Sequence, residues 1–249
     1  MVVTAHMLVN RMGIDAEIAD YFANKRPVPA NNRFWAQKLI YLSAGFGTLT
    51  IPFAFDLMFK AGIPRQALLD DAHVSLMEEG FDRLKRYEAE EISFETFLQL
   101  CIELLEGRIK QPHLAADLMA FFTNRPTQWF TFETTHRSLA RSDGFLFTLT
   151  DLSLSDAWVR DFLPYWYALA RPILLFDDFK DLNDDRATGQ ENTIIELGND
   201  AAAIQKAHAL GTADLNKLHE LNPMLARHMQ ALLDNCLNFV HIRAELEQA

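Results

Sequence analysis

Five aspartates gather at the end of one long apolar segment, where the chain reads FDDFKDLNDDRATG over residues 176–189. Asp177, Asp181 and Asp185 recur every four residues, so they line up on one face of a helix. They also continue an apolar stripe that should face a core. Carboxylates placed there would be buried and would repel one another, and a hard divalent cation relieves that cost. The spacing therefore predicts a magnesium site.

The alternative is a solvated acidic helix end that binds no metal. In that arrangement Asp178 and Asp184 would face water, and Lys180 and Arg186 would pair with their neighbours. The helix macrodipole disfavours carboxylates at a C-terminus, so simple solvation leaves the concentration of acids unexplained. We therefore favour a compensating charge.

A second acidic run lies in the helix predicted over residues 65–89. Glu78, Glu79 and Asp82 form one possible register, whereas Asp70 and Asp71 form another that lacks an acid four residues on. The apolar face of this helix takes in Glu79 and lies nearer to Glu78 and Asp82 than to Asp70. We favour the first register, and both the second register and an ordinary solvated helix stay open.

The acidic segment resembles the class I isoprenoid synthase superfamily, which includes prenyl diphosphate synthases, squalene and phytoene synthases, and terpene cyclases. Asp177, Asp178 and Asp181 resemble the second aspartate-rich motif of prenyl diphosphate synthases. The run KDLNDDRATG is similar to a stretch of squalene and phytoene synthases. The spacing of the triad that ends at Asp185 matches the metal triad of terpene cyclases.

The resemblance implies an all-α, single-domain helical bundle over residues 1–249, with a central active-site cavity. It also implies a cluster of Mg²⁺ ions gripped from two acidic helices, with Mn²⁺ as an alternative metal. The substrate would be a prenyl diphosphate, and a homodimer is expected by analogy alone. The implied metal ligands are Asp177, Asp178, Asp181 and Asp185 on one helix, and Glu78, Glu79 and Asp82 on the other.

A departing diphosphate also needs fixed positive charge. Arg83, Lys180 and Arg186 directly follow the two acidic runs. The segment SLARSDGF, residues 138–145, resembles the Arg, Asp, Gly arrangement at the helix break of terpene cyclases. The resemblance implies that Arg141 senses diphosphate and that the carbonyl of Gly144 assists ionisation, with Arg137 as the alternative to Arg141.

The expected reaction is ionisation of an allylic prenyl diphosphate to a carbocation, as in a class I terpene synthase, a carbon–oxygen lyase. The Asp185 position and the RSDG break favour cyclisation. The three aspartates of the triad favour the alternative, condensation of two isoprenoid units, because terpene cyclases use Asn, Ser or Thr, and Glu at the corresponding positions. A non-catalytic helical interaction protein with a degenerate site is the second alternative.

Composition narrows the class of protein further. The 249 residues carry a formal net charge of −11 and are 49% hydrophobic, which argues against a nucleic-acid partner and favours one substantial core. Cys101 and Cys236 lie in apolar contexts, which indicates core residues. Glycine, proline and polar residues interrupt the apolar stretch 39–59, so we interpret it as buried helix and expect no stable membrane span. The N-terminus lacks a signal-peptide pattern, and we expect a cytoplasmic protein.

The elements that position these residues should all be helices, because apolar residues recur at three- and four-residue spacing and no sustained alternating run appears. Glycine, proline and capping residues separate the segments. The abundant aromatic residues either fill the core or line a cavity that stabilises a cation. We predict helices over 14–24, 33–60, 65–89, 94–109, 113–123, 126–142, 156–186, 200–209, 212–220 and 223–247.

Overall fold

A computed structural model describes residues 3–27, 29, 31–35, 46–134 and 136–247. The regular structure of these residues is entirely helical, which confirms the all-α prediction. A π-helical turn spans Tyr21–Lys25 and a 3₁₀-helical segment spans Arg141–Asp151. The α-helices in this part of the chain are α1 (Ala5–Met12), α2 (Ala16–Asp20), α3 (Phe46–Lys60), α4 (Arg65–Leu68), α5 (Asp71–Glu88), α6 (Phe94–Leu105), α7 (Pro112–Phe122), α8 (Arg137–Ala140), α9 (Asp156–Thr188), α10 (Thr193–Glu196), α11 (Ala201–Leu218), α12 (Pro223–Cys236) and α13 (Val240–Leu246).

The chain divides into two compact units, each assembled from separate stretches. The first unit consists mainly of Asp15–Thr131 and Gly144–Asp161, and the second of His6–Ile14, Phe132–Asp143 and Phe162–Ala249. Because both units draw on stretches far apart in the chain, this division leaves the prediction of one domain over residues 1–249 untested. The predicted active-site cavity at the centre of a bundle stays a prediction as well.

In the first unit, α5 packs against α6, and α2 against α3. The helix predicted over 65–89 is broken into α4 and α5, because Asp70 acts as an N-cap. Its carboxylate accepts hydrogen bonds from the backbone N–H groups of Ala72 and His73 at 3.0 and 3.3 Å. Asp70 therefore begins a new helix where the apolar periodicity alone suggested a continuous one.

The predicted helix over 126–142 is wrong for its first half, and a buried carboxylate explains why. Asp117 of α7 is almost fully buried and accepts hydrogen bonds from the backbone N–H groups of Gln128, Trp129 and Phe130 at 2.7–2.8 Å. Backbone donors bound to a side chain are not available for helical hydrogen bonds. Residues 127–130 are therefore held in a loop, and the next helix in the described residues is α8.

Part of the apolar stretch 39–59 lies outside the described residues, since the structure describes residues 46–60 as α3 and residues 36–45 are not described. From Ile51 to Met58 this helix is buried throughout. Nowhere in the described parts of the chain is a helix long and apolar enough to cross a membrane.

In the second unit, α11 packs against α12 and α13. The break predicted at Gly211 is wrong, since α11 continues through it from Ala201 to Leu218. A Cβ atom at Gly211 would lie 2.8 Å from Leu233 Cδ2 and 3.1 Å from Leu175 Cδ1. This glycine therefore permits close packing of helices and does not end one.

Two other predicted helices are interrupted. The helix predicted over 14–24 becomes α2 followed by the π-helical turn, and the one predicted over 223–247 ends as α12 at Cys236 and resumes as α13. Both cysteines are buried as expected, and burial raises the pKa of each thiol to about 11.

The long helix α9 carries the acidic segment in its last three turns. It continues through Pro164 and Pro172 and ends at Thr188, close to the predicted end. Gly189 follows with a φ of +72°, in the left-handed region that glycine adopts readily, and its N–H donates to the carbonyl of Asp185 at 2.8 Å. The glycine thus stops α9 and places the acids at the helix end, as the sequence predicts.

Candidate acidic site at the end of α9

The five aspartates at the C-terminal end of α9 differ sharply in exposure. Asp178 and Asp185 are buried, with 1% and 9% of their surface exposed. Asp177 and Asp184 are exposed, and Asp181 is intermediate. Each residue of a helix turns about 100° around the axis, so each step of four residues ends about 40° further round. The row from Asp177 to Asp185 therefore begins on the solvent side of α9 and ends on its buried side.

This distribution corrects the expectation that the spaced triad is uniformly buried. Asp177 is exposed, whereas Asp178, which a solvated helix end would direct to water, is the most buried of the five. Asp178 and Asp185 are seven residues apart, which is close to two full turns, so these two share the buried side. The buried pair is thus spaced by seven residues and not by four.

The start of α10 holds both buried carboxylates. Asp178 Oδ2 accepts a hydrogen bond from the backbone N–H of Thr193 at 3.0 Å. The side-chain amide of Asn192 donates to Asp185 Oδ2 at 2.8 Å and to the carbonyl oxygen of Asp178 at 2.8 Å. Asn192 is itself buried and caps α10, since its Oδ1 accepts the N–H of Ile194 at 2.9 Å.

These contacts explain how two acids are tolerated at a helix C-terminus, where the macrodipole opposes them. Buried carboxylates are stable only when hydrogen-bond donors or counter-charges satisfy them. For Asp178 and Asp185 the donors are the amide of Asn192 and the N–H of Thr193. The compensation predicted for these two residues therefore comes from the chain itself, and Asp177, Asp181 and Asp184 are the acids left towards solvent.

Among the residues that the structure describes, Lys180 contacts one member of this accessible group. Its Nζ donates to both carboxylate oxygens of Asp181 at 2.8 and 3.1 Å. The hydrogen bond to Asp181, with further attraction from Asp177 and Asp184, raises the pKa of Lys180. The lysine side chain is 67% exposed, so the pair contributes little stability in water. A phosphate or a metal ion could rearrange it at low cost.

Two more of the basic residues predicted to hold diphosphate, Arg186 and Arg137, already have acidic partners. Arg186 binds both carboxylate oxygens of Glu245 on α13, and its Nε donates to Asn199 Oδ1 at 2.6 Å. The contact with Glu245 raises the pKa of Arg186. Arg137 pairs with Glu191 at 2.6 Å, but its side chain is 84% exposed and that pairing is weak. Of these two, Arg137 is the one that a ligand could engage without breaking a part-buried pair.

The accessible acids have the chemistry that magnesium prefers. Mg²⁺ is commonly held by one or two protein carboxylates and completes its octahedron with water and phosphate oxygens. Asp177 and Asp181, one turn apart, supply two such carboxylates, and Asp185 Oδ1 makes no hydrogen bond within the described residues. No three metal-ligating side chains are grouped as a ready-made site in that part of the chain. The residues therefore fit a metal ion whose remaining ligands come from water and substrate.

The predicted first acidic run lies in the first unit, on α5. Glu78 is buried and forms a two-point ion pair with Arg26, whose Nε and Nη2 lie 2.9 and 2.8 Å from its two carboxylate oxygens. Arg26 also donates to Ser75 Oγ at 3.1 Å and pairs with Asp71 at 2.8 Å. The guanidinium therefore neutralises acids from both candidate registers.

The rest of that run is more accessible. Glu79 is exposed and accepts a hydrogen bond from Arg83 at 3.3 Å, while the same guanidinium donates to the carbonyl of Glu79 at 3.0 Å. Asp82 Oδ1 accepts the backbone N–H of Arg33 at 2.7 Å. The metal-binding roles of Glu78, Glu79 and Asp82, and the diphosphate-binding role of Arg83, stay predictions.

The predicted helix break at RSDG does occur as a change of helix type. α8 ends at Ala140 and a 3₁₀ segment begins at Arg141. The side chain of Arg141 lies outside the described part of the structure. Gly144 is the first residue of the 3₁₀ segment that belongs to the first unit. A Cβ atom at this glycine would meet nothing within 4 Å. The roles predicted for Arg141 and Gly144 stay predictions.

Asp143, beside the break, is fully buried in the second unit. Thr134 Oγ1 donates to its Oδ2 at 2.8 Å and Trp166 Nε1 to its Oδ1 at 3.3 Å. Burial nevertheless raises the pKa of Asp143 to about 6. These hydrogen bonds fix the end of the 132–143 stretch against α9.

A second buried ionic cluster of this unit was missed from the sequence. Arg171 of α9 lies 3.2 Å from Asp214 of α11, and its guanidinium stacks over the ring of Tyr167, 4.9 Å from the centroid. Asp214 replaces an apolar residue on the buried stripe that includes Leu215 and Leu218, which is the signal that could have revealed it. Its partner on α9 could not be read from the sequence, because the two are far apart in the chain.

Asn192 was also missed, although a local signal exists. An asparagine immediately before Thr-Ile-Ile-Glu matches an N-cap preference. That preference predicts a helix start and does not predict what the amide group would bind.

Described residues of the first unit line at least two surface cavities. One of about 650 Å³ is lined mainly by polar side chains, including Glu17, Arg65 and Asp71. The other, of about 280 Å³, is apolar and lies between α6 and α7, with Ile102, Ile109 and Phe147 in its wall. No residue of the α9 acidic segment lines either of them.

Comparison with known proteins adds no relative. The chain matches no protein-family model, no curated protein and no solved structure.

Proposed function

We propose that the protein is a magnesium-dependent class I terpene synthase that ionises an allylic prenyl diphosphate and releases diphosphate. The observation that carries the proposal is the graded row of carboxylates at the end of α9. In this row Asp177 and Asp181 are accessible while Asp185 is held by a buried amide. The resemblance of this segment to the isoprenoid synthase superfamily supports the same conclusion.

Asp177 and Asp181 are the proposed metal ligands, and Asp185 is the proposed third through Oδ1. When bound, magnesium supplies Lewis-acid stabilisation of the charge that develops on a departing diphosphate. Lys180 and Arg137, both largely exposed, are the basic side chains proposed to hold the diphosphate oxygens. Arg186 would instead hold the helix end in place through Glu245.

In the proposed reaction the carbon–oxygen bond breaks and its electron pair leaves with the diphosphate. An allylic carbocation remains, and an internal double bond attacks it to close a ring. The final cation loses a proton, which the released diphosphate can accept. Trp166, Tyr167 and Phe176, all on α9, are aromatic candidates for stabilising positive charge, and all three are buried.

Condensation of two isoprenoid units is the alternative reaction at the same carboxylates. It would use the same departure of diphosphate, followed by attack of a second prenyl unit. The triad consists of three aspartates, and these residue types favour condensation.

The first test is thermal stability with magnesium and inorganic pyrophosphate. A ligand that binds only the folded state stabilises it by about 2.7 kcal/mol at a hundredfold excess over its Kd. For a chain of this size that corresponds to a rise of roughly 5–10 °C in Tm. We expect this rise with both ligands together, and no rise at saturating concentrations would contradict the proposal.

Paired variants show whether the rise comes from the α9 acids. The double variant Asp177→Asn with Asp181→Asn should abolish it and leave the Tm without ligand nearly unchanged, since both side chains are accessible. Asp161→Asn is the matched control, because Asp161 is an exposed aspartate near the other end of the same helix. An equal rise in the double variant and the control would place the ligand elsewhere.

The reaction itself is tested by incubation with geranyl, farnesyl and geranylgeranyl diphosphates and magnesium, with and without isopentenyl diphosphate, followed by gas chromatography. Cyclic hydrocarbons from one substrate alone would support cyclisation. Products formed only with the added isopentenyl diphosphate would support condensation.

A non-catalytic helical interaction protein is the second candidate. The observation that favours it is that Asp178, Asp185 and Glu78 all have structural partners within the chain. A protein of this kind would show no Tm rise with magnesium and pyrophosphate, so the first experiment separates the two candidates.

A further inference from the structure

We infer that Asn192 is a positioning residue for the acidic site, one that orients Asp185 for a metal ion. This inference rests on the proposed function. Its Nδ2 donates to one oxygen of Asp185 at 2.8 Å and leaves the other oxygen, Oδ1, without a hydrogen bond among the described residues. A metal ion would therefore meet Asp185 as a carboxylate fixed in one orientation, with one oxygen available.

Asn192 is well placed for this role because its own position is fixed from two sides. It is 1% exposed, its Oδ1 accepts the N–H of Ile194, and its Nδ2 also reaches the carbonyl oxygen of Asp178. The amide therefore joins two residues of α9, Asp178 and Asp185, that are separated by about two turns in the sequence. A donor held in this way keeps Asp185 oriented, as residues behind metal ligands commonly do.

The next residue extends the same junction to α8. The N–H of Thr193 binds Asp178 at 3.0 Å, and its hydroxyl lies 2.8 Å from Ser138 Oγ. The N–H of Ser138 in turn donates to Glu196 Oε1 at 3.0 Å. The start of α10 thus joins the acidic end of α9 to the helix that carries Arg137.

The Oδ1 and Nδ2 atoms of the Asn192 side chain have separate roles, because Oδ1 caps α10 and Nδ2 holds Asp185. A substitution that keeps one role and removes the other can therefore test the inference. Serine at this position can still accept a backbone N–H and cap α10, but it has no amide to hold Asp185. We therefore expect Asn192→Ser to remain folded, with a modest loss of stability. The magnesium concentration needed for half of the pyrophosphate-dependent Tm rise should increase about 10- to 100-fold.

Asn222 provides the matched control. It is a buried N-cap of α12 whose Oδ1 accepts the N–H of Leu225 and whose amide donates to the carbonyls of Met12 and Gly13. Asn222→Ser therefore removes a similar buried donor far from the acids in the sequence. It should lower the Tm without ligand and leave the magnesium midpoint unchanged.

The possible outcomes separate a failure of the proposed function from a failure of the positioning role of Asn192. No magnesium-dependent rise in the unsubstituted protein would overturn the proposed function, and the positioning role with it. A normal rise in the unsubstituted protein with the same midpoint in Asn192→Ser would overturn the positioning role alone. A shifted midpoint in Asn222→Ser as well would assign the effect to general loss of stability and would also overturn it.

Discussion

Replacing Asp214 by asparagine should change how the stability of the protein depends on pH. Burial raises the pKa of Asp214 to about 7 from an ordinary value of 3.8, although Arg171 lowers it, and the charge of Glu133 adds to the rise. The folded state therefore prefers the protonated carboxyl. The stability that the raised pKa of Asp214 contributes is fully present below pH 3.8. It is lost as the pH rises from 3.8 through 7. This loss is worth roughly 4 kcal/mol, since each pKa unit corresponds to about 1.36 kcal/mol.

Urea unfolding followed by helical circular dichroism measures this effect. Between pH 5 and pH 8 the free energy of unfolding of Asp214→Asn, relative to the unsubstituted protein, should rise by roughly 3 kcal/mol. The attraction between Arg171 and the ionised carboxylate is already included in the pKa of about 7, so it does not change this expected difference. Asp161→Asn, at an exposed position, should show no such change. Parallel pH profiles for Asp214→Asn and the unsubstituted protein would refute the reasoning.

Four further substitutions test the packing and the buried carboxylates by urea unfolding. Gly211→Ala should destabilise the folded protein by about 1–3 kcal/mol through overpacking. Gly80→Ala, at an open position in α5, should stabilise it by up to about 1 kcal/mol. A gain in stability at both sites would contradict the assigned contacts of Gly211. Asp117→Ala should cost about 2–4 kcal/mol, because three backbone N–H groups lose their acceptor. Glu78→Ala should cost about 3 kcal/mol by leaving the guanidinium of Arg26 without its buried partner. A loss below 0.5 kcal/mol, on the scale of exposed pairs, would show that either carboxylate is solvated.

The local sequence pattern predicts the structure correctly where interactions within a single helix determine that structure. The apolar periodicity predicts α9 almost to its ends, because a long run of side chains facing a core favours helix throughout. Gly189 ends that helix through a left-handed conformation that other residues adopt less readily. The same reasoning failed after Pro126, where the carboxylate of Asp117 binds backbone groups that periodicity assigns to a helix. It failed at Gly211 as well. The sequence does not distinguish a glycine that permits close packing of a neighbouring helix from a glycine that ends its own helix.

For the acidic segment, the sequence determined the residue types, their spacing and their position at a helix end. It did not determine which of the five aspartates would be buried, because a row at four-residue spacing drifts around the helix. The tertiary structure decided this through α10, whose first residues provide an N–H and an amide to Asp178 and Asp185 and leave Asp177 and Asp181 accessible. Burial of a carboxylate depends on the donors that other segments bring to it, and no spacing within one helix specifies those donors.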